Sequence, residues 1–267
     1  MIEGERSVND EILYAVEDGI GTITLNRPQA RNALTFAMYE RIAEICREPA
    51  AHGDPRVIVM TGAGEKAFGA GTDISQFRAF STAEDALAYE ARIETVIGTI
   101  ERCAIPTIAA ISGAVTGGGA SIALACDIRI ATMTARFGFP VARTLGNCLS
   151  MENYARLYAL LGPARVKDIV MTARLVEAEE GQRFGLYSEL LPDHAALMVR
   201  ADELAKTIAG HAPLTMRATK EAMRRLTGAA AEGLDGDDLV KLCYTSADFR
   251  EGMEAFLGKR TPVWQGR

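Results

Sequence analysis

Gly117, Gly118 and Gly119 stand between two apolar runs, Ile108-Ala109-Ala110-Ile111 upstream and Ala120-Ser121-Ile122-Ala123-Leu124-Ala125 downstream. The first run reads as a buried strand and the second as a buried helix. Glycines at a helix N-terminus leave main-chain N–H groups open to a ligand, and the unpaired donors and helix dipole there favour an oxygen that gains negative charge. Close strand–helix packing also calls for small residues. A second glycine-rich junction, Gly69-Ala70-Gly71-Thr72-Asp73, tips the reading towards chemistry. Each junction offers one N–H, from Thr72 and from Gly118. Two such donors converging on a carbonyl oxygen form an oxyanion hole, worth on the order of 3 kcal/mol per donor when that oxygen becomes enolate-like. Asp73, just before Ile74-Ser75, reads as a helix N-cap ahead of a catalytic acid.

Two rival glycine motifs fail. Gly62-Ala63-Gly64-Glu65-Lys66-Ala67 matches a dinucleotide fingerprint in form, but that fingerprint needs a helix to begin inside the loop. Here Gly69 and Gly71 follow, so a helix cannot start before about Asp73. No Gly-x-x-x-x-Gly-Lys-Ser/Thr run occurs, which removes a Walker-type nucleotide site.

The elements that must carry these loops alternate. Ile12–Val16 and Gly19–Leu25 read as strands paired around an Asp18-Gly19 turn. Thr35 caps a helix with Met38, Ile42 and Ile45 on its inner face. Val57–Met60 is a short buried strand, Ala83–Arg102 a helix, Pro106 the start of the strand running to the glycine triplet, and Ile128–Ala131 another strand. After Ser150 the pattern turns helical: Met151–Leu161, Ala164–Ala173, Ala178–Phe184, Ala195–Ala209, Leu214–Leu226 and Asp237–Leu257. Strand–helix–strand repetition implies an α/β fold with parallel sheet and right-handed crossovers, followed by a helical tail.

The 267 residues carry a net charge of −6 without a long basic run, which argues against a nucleic-acid partner. Cys46, Cys103, Cys126, Cys148 and Cys243 are scattered and form no Cys-x-x-Cys pair. Neither a disulfide framework nor a metal site is expected, and a reducing, cytoplasmic setting fits. No apolar run approaches a membrane span, so no membrane partner is expected.

Asn26-Arg27-Pro28-Gln29-Ala30-Arg31-Asn32-Ala33-Leu34, Gly64 to Ile74, and Ala114-Val115-Thr116-Gly117-Gly118-Gly119 through Cys126-Asp127 are three stretches that resemble the crotonase (enoyl-CoA hydratase/isomerase) family. The tail Phe249 to Arg260 is similar to that family's C-terminus. The resemblance implies a spiral of ββα units holding an acyl-CoA site over residues 1–195, and a C-terminal helical trimerisation region over residues 196–267. It implies an acyl-CoA thioester substrate, with coenzyme A arriving as part of that substrate and no permanently bound cofactor. The thioester carbonyl is then expected between the N–H groups of Thr72 and Gly118. Arg31 and Lys66 are expected near the CoA phosphates, and adenine against main chain from Ala70 through Thr72, Asp73 and Ile74 to Ser75. Phe256 and Lys259 are expected at a neighbouring subunit's CoA site, in a homotrimer or a dimer of trimers.

The chain departs from the family pattern where hydration is carried out. The family's hydratases use two glutamates, at positions that correspond here to Ser121, three residues past the middle glycine, and Val141, after Phe137-Gly138-Phe139-Pro140. A proton-transfer group contributes about 10²–10⁴ in rate, so ordinary hydration is expected to suffer. Cys148 falls near the nucleophilic aspartate of the family's aroyl-CoA dehalogenases and is a candidate thiolate. Arg143 is a candidate for holding a substrate carboxylate. Glu90 and Glu94, neighbours on the expected Ala83–Arg102 helix, can bring a carboxylate from another direction. His52, His194 and His211 lie outside these motifs. The function expected is enolate chemistry on an acyl-CoA, with decarboxylation or C–C hydrolysis as alternative reactions and a non-catalytic acyl-CoA-binding protein as the alternative class.

Overall fold

The computed structural model describes residues 11–79, 82–231 and 236–267. Its strands are β1 (Ile12–Glu17), β2 (Ile20–Leu25), β3 (Val57–Gly62), β4 (Ala67–Gly69), β5 (Thr107–Ile111), β6 (Ala114–Thr116), β7 (Ile128–Thr132), β8 (Arg136–Gly138), β9 (Val176–Glu177) and β10 (Glu189–Leu191). They form two sheets, in the orders β1-β2-β3-β5-β7-β10 and β4-β6-β8-β9. Among the described strands only β1/β2 and β8/β9 pair antiparallel; every other junction is parallel. Successive turns of the chain thus place one strand in each sheet: β3 then β4, β5 then β6, β7 then β8. This is the spiral that the family resemblance implied.

The helices are α1 (Phe36–Arg47), α2 (Ala83–Glu101), α3 (Gly118–Ala125), α4 (Val141–Thr144), α5 (Met151–Leu161), α6 (Pro163–Thr172), α7 (Ala178–Arg183), α8 (His194–Ala209), α9 (Pro213–Ala231), α10 (Asp237–Tyr244) and α11 (Ala247–Leu257). Local chemistry fixes many ends. Asp18 and Gly19 both take positive φ, as a two-residue hairpin turn between β1 and β2 requires. Thr35 accepts from the Met38 N–H to start α1, and Thr82 with Asp85 forms a capping box on α2.

Two expectations change. The single helix expected over Asp237–Leu257 is two, because the Ser246 backbone is extended and its hydroxyl accepts from the Phe249 N–H, starting α11 afresh. The single strand expected from Pro106 to the glycine triplet is also two. Ser112-Gly113 turns a corner there: Gly113 has φ +66°, and a Cβ on it would lie 2.3 Å from the Lys66 carbonyl oxygen. That corner moves the chain from the first sheet to the second.

β3 is buried along its whole length. Ile58 and Met60 face the main core with α1, α2 and α3, whereas Val57 and Val59 join Ile108, Ala110 and Ile130 against Leu197, Ala201 and Ala205 of α8. Burial on both faces explains why the strand reads as a continuous apolar run. The α10 and α11 helices return to α2, α4 and the 3-10 turn at Ile74–Ala79, closing a third cluster with Phe77, Leu145, Tyr244 and Phe249. Among the described residues no helix is long and apolar enough to cross a membrane.

Candidate active site

The stretch Asn26–Leu34 is a splint for the first glycine loop. Asn32 is fully buried; its side chain accepts from the Arg27 N–H (3.0 Å) and donates to the Ala63 and Ala67 carbonyls (3.1 and 2.7 Å). Arg27 reaches the Ala33 carbonyl and the Asp73 carboxylate (2.8 and 3.0 Å). Leu34 then pairs with the loop as a parallel bridge: its N–H donates to Gly71 O, and the Asp73 N–H donates to Leu34 O, each at 2.8 Å. In that geometry the intervening Thr72 N–H points to the other side, away from Leu34.

The other side is the second loop. Gly117 (φ +51°) caps α3, so Gly118 is its first residue and its N–H belongs to the unpaired first turn. The two loops meet backbone to backbone. A Cβ on Gly117 would lie 3.2 Å from Gly71 Cα, and one on Gly119 would lie 2.2 Å from the Gly69 carbonyl oxygen. A Cβ on Gly118 would lie 3.2 Å from Thr72 Oγ1. Side-chain-free residues at these positions bring the Thr72 and Gly118 peptides together, and both residues remain partly open to solvent.

Phenols crowd the same place. Tyr39 on α1 and Tyr89 on α2 each share a hydrogen bond with Thr72 Oγ1, both 2.9 Å long. The Tyr39 hydroxyl lies 1.8 Å from where a Cβ on Gly118 would be. Burial raises both phenols, so both stay protonated. Neither tyrosine stands out in the sequence. Tyr39 sits on an apolar helix face where it reads as core, and only the meeting of α1 with the first loop gives it a polar neighbour.

Asp73 is a cap. Its Oδ1 accepts from the Ser75 N–H and hydroxyl (3.1 and 2.7 Å) at the start of the 3-10 turn. Burial pushes its carboxyl up, but the bonds from Ser75 and Arg27 outweigh that and hold it below the usual range, leaving it ionised and unable to donate a proton. Ala70 is tied to Arg31 through its N–H (3.1 Å), and Arg31 and Lys66 are exposed beside the first loop. Ile74 packs into the third cluster. Phe256 is half exposed near the end of α11, and Lys259 is exposed just beyond it. Arg143 is exposed on α4.

A model of the enoyl-CoA hydratase/isomerase family matches residues 15–267. The chain belongs to that family. It is 32% identical over 260 residues to the short-chain-enoyl-CoA hydratase of Clostridium acetobutylicum, covering 94% of this chain and 96% of that one. Among solved structures, an enoyl-CoA hydratase/carnithine racemase from Magnetospirillum magneticum superposes with a TM-score of 0.77 at 32% identity, over 97% of this chain and 96% of that one. A methylmalonyl-CoA decarboxylase in complex with 2-nitronate-propionyl-CoA superposes with a TM-score of 0.85 at 25% identity, over 96% and 99%.

Against that family background, the residues at the positions expected for acid–base chemistry are Ser121 and Val141, neither of them a carboxylate. Ser121 is buried and its hydroxyl donates to the Gly117 carbonyl four residues back (3.3 Å). Val141 is buried at the start of α4. Cys148 does not fit a thiolate nucleophile: its hydrogen bond with Cys243 and its burial raise its pKa, and its thiol donates to Leu239 O (3.4 Å).

The two candidate carboxylates of α2, Glu90 and Glu94, part company. Glu94 is engaged, with Glu101, by the nearly buried Arg156 of α5. Among the described residues no cation pairs with Glu90. It accepts a hydrogen bond from the Tyr244 hydroxyl of α10, and Asn147 Nδ2 donates to that same hydroxyl (3.1 Å). Burial pushes the Glu90 carboxyl up to about 7; the Tyr244 bond pulls down, while Glu94 and Glu152 push further up. Tyr244 is a residue that sequence reasoning missed.

A folded-state pKa raised from an ordinary 4.5 to about 7 favours the folded protein at low pH, and that contribution is lost as pH rises through 7. Glu90→Gln keeps an acceptor for Tyr244 and removes the buried charge. It is expected to stabilise the protein by about 3 kcal/mol at pH 8 and by less than about 1 kcal/mol at pH 5. Urea unfolding of both proteins at the two pH values checks this; equal midpoint differences at pH 5 and pH 8 contradict it.

Proposed function

We propose that the protein is an acyl-CoA enzyme that polarises a thioester carbonyl between the N–H groups of Thr72 and Gly118 and works through a thioester enolate. The observation that carries this reading is the backbone contact of the two glycine loops. It leaves one peptide N–H on each side of a partly open site, with Thr72 turned away from its bridge to Leu34 and Gly118 in the unpaired first turn of α3. Membership of a family whose relatives are named for enoyl-CoA substrates supports the substrate class. Exposed Arg31 and Lys66 beside the first loop are suited to the CoA phosphates, as a CoA moiety bound along Ala70–Ser75 requires.

Proton shifts on the acyl chain fit this site better than hydration. Hydration needs a base for the water and an acid for the carbon, and Ser121 and Val141 offer neither. Arg143, the candidate for holding a substrate carboxylate in the alternative reactions, is exposed on α4.

Incubation with a panel of acyl-CoA thioesters in deuterated water tests the reading. Deuterium is expected next to the thioester carbonyl, together with slow hydration of crotonyl-CoA. Saturable acyl-CoA binding without any exchange overturns enolate chemistry in favour of a binding protein.

A further inference from the structure

Glu90 belongs to no ion pair among the described residues and to neither of the family positions at Ser121 and Val141. Among the described residues, the ionisable groups acting on it are Tyr244 of α10, Glu94 of its own helix and Glu152 of α5, none of them a cation. Its charge is in turn felt by Tyr39 of α1, by Tyr89 beside it and by Cys148 after α4. Tyr39 and Tyr89 are the two phenols bonded to Thr72 Oγ1, and the Tyr39 hydroxyl stands over Gly118. The Tyr89 ring lies 6.4 Å from the ring of Tyr244, whose hydroxyl bonds Glu90, so this aromatic pair links the carboxylate to the candidate oxyanion hole from α2 rather than from α3 or α4.

The hydrogen bonds around it have a direction. The Asn147 amide donates to the Tyr244 oxygen, so the Tyr244 proton is directed to Glu90 Oε1. No described residue donates to Oε2. Asn147 Oδ1 is buried without a partner among the described residues, a second polar atom in this corner that the folded chain leaves unused. A carboxylate fixed through one oxygen, free at the other and titrating near neutrality is suited to taking and returning a proton.

We propose that Glu90 is the proton-transfer residue of this site, removing a proton from a carbon conjugated to the thioester of a bound acyl-CoA and returning it, with Tyr244 and Asn147 as positioning residues. The inference rests on the acyl-CoA reading given above. In the forward step Glu90 Oε2 takes the proton, the C–H pair becomes the carbon–carbon double bond of the enolate, and the carbonyl pair moves onto the oxygen held at Thr72 and Gly118. In the return step Glu90 gives the proton back, to the same carbon or, for an unsaturated chain, two carbons along. Atoms and charge balance without a further reactant. The substrate class is therefore an acyl-CoA that undergoes proton exchange or a 1,3-proton shift.

The test compares wild type, Glu90→Gln and Tyr244→Phe by deuterium exchange into butyryl-CoA, alongside binding of cinnamoyl-CoA, whose absorbance moves to longer wavelength when its carbonyl is polarised. Wild type is expected to bind cinnamoyl-CoA with a red shift and to exchange, with a rate that rises with pH and levels off above about 7. Glu90→Gln is expected to lose at least about 100-fold in exchange while keeping the red shift and the affinity. Tyr244→Phe removes a bond that favours the ionised carboxylate, so its exchange profile moves to higher pH, by about one unit. Glu90→Gln exchanging within a few-fold of wild type overturns the role of Glu90 and leaves the acyl-CoA reading standing. Loss of the red shift along with exchange in Glu90→Gln also overturns it, because the residue then acts in binding. Absence of both red shift and exchange in wild type overturns the acyl-CoA reading itself.

Discussion

Gly119→Ala is expected to lose both stability and turnover. A Cβ at that position would meet the Gly69 carbonyl oxygen at 2.2 Å, its carbon at 2.7 Å and its Cα at 2.8 Å. All three atoms are backbone, so no side chain can swing aside. Gly119 is buried in α3, and Gly69 ends β4 in the second sheet, so neither partner is free to retreat. Overpacking ordinarily costs about 1–3 kcal/mol, and against backbone on both sides the upper end or more is expected. Relief by separating the two loops also draws the Thr72 and Gly118 N–H groups apart. A displacement of about 1 Å at a reacting centre is enough for a loss of roughly 100-fold. Thermal unfolding and the deuterium-exchange assay check the two halves. A Gly119→Ala variant that melts with wild type and exchanges at the wild-type rate shows that the loops do not need their backbone contact.

That contact was half legible in the sequence. The glycine runs announced two junctions with open peptide groups, and the hairpin, the cap at Thr35 and the alternation of strand and helix followed from local residue chemistry. The short strands β4, β6, β8 and β9 were not legible. Two or three residues carry no period of their own, and they become strands only because corners such as Ser112-Gly113 turn the chain into the second sheet. The candidate hole was readable because it is made of backbone, for which glycine is a visible marker.

Its polar surroundings were less readable, because they are made by distance. Tyr39 and Thr72 are 33 residues apart, and Tyr244 and Glu90 are 154 apart. Each of these tyrosines sits on an amphipathic helix, where an aromatic residue ordinarily means core. Glu90 was visible as one of two equivalent carboxylates on α2. What separates it from Glu94 is which residue of another helix lies opposite: a phenol from α10 for one, a guanidinium from α5 for the other. Single-sequence pattern has no means of assigning those partners.

Arg156 itself carries a large effect. It is 6% exposed, and its guanidinium bonds both carboxylates: Nη1 to Glu94 (2.9 Å), and Nε and Nη2 to Glu101 (2.7 and 3.0 Å). Arg156→Met leaves two partly buried carboxylates, Glu94 and Glu101, without the guanidinium that bonds both, and a loss of about 3–5 kcal/mol is expected at neutral pH. Burial already raises the Glu94 carboxyl in the wild type against the pull of Arg156, so removing the arginine raises it further. A carboxyl raised in the folded state supports folding when protonated and loses that support as pH climbs through its folded pKa. The deficit of Arg156→Met is therefore expected to be larger at pH 8 than at pH 5, and urea midpoints at the two values measure it. A deficit that is constant across that range means that neither carboxyl titrates between pH 5 and pH 8 in the variant. The same substitution loosens α2 from α5, and α2 is the helix that brings Tyr89 to Thr72 and Glu90 to Tyr244. Exchange in Arg156→Met at pH 5, where most of the stability is retained, is accordingly expected to fall while Gly118 and Thr72 are untouched. Glu94, which Arg156 holds, and Glu90 lie one helical turn apart on α2, so the ion pair at one sets the position of the other.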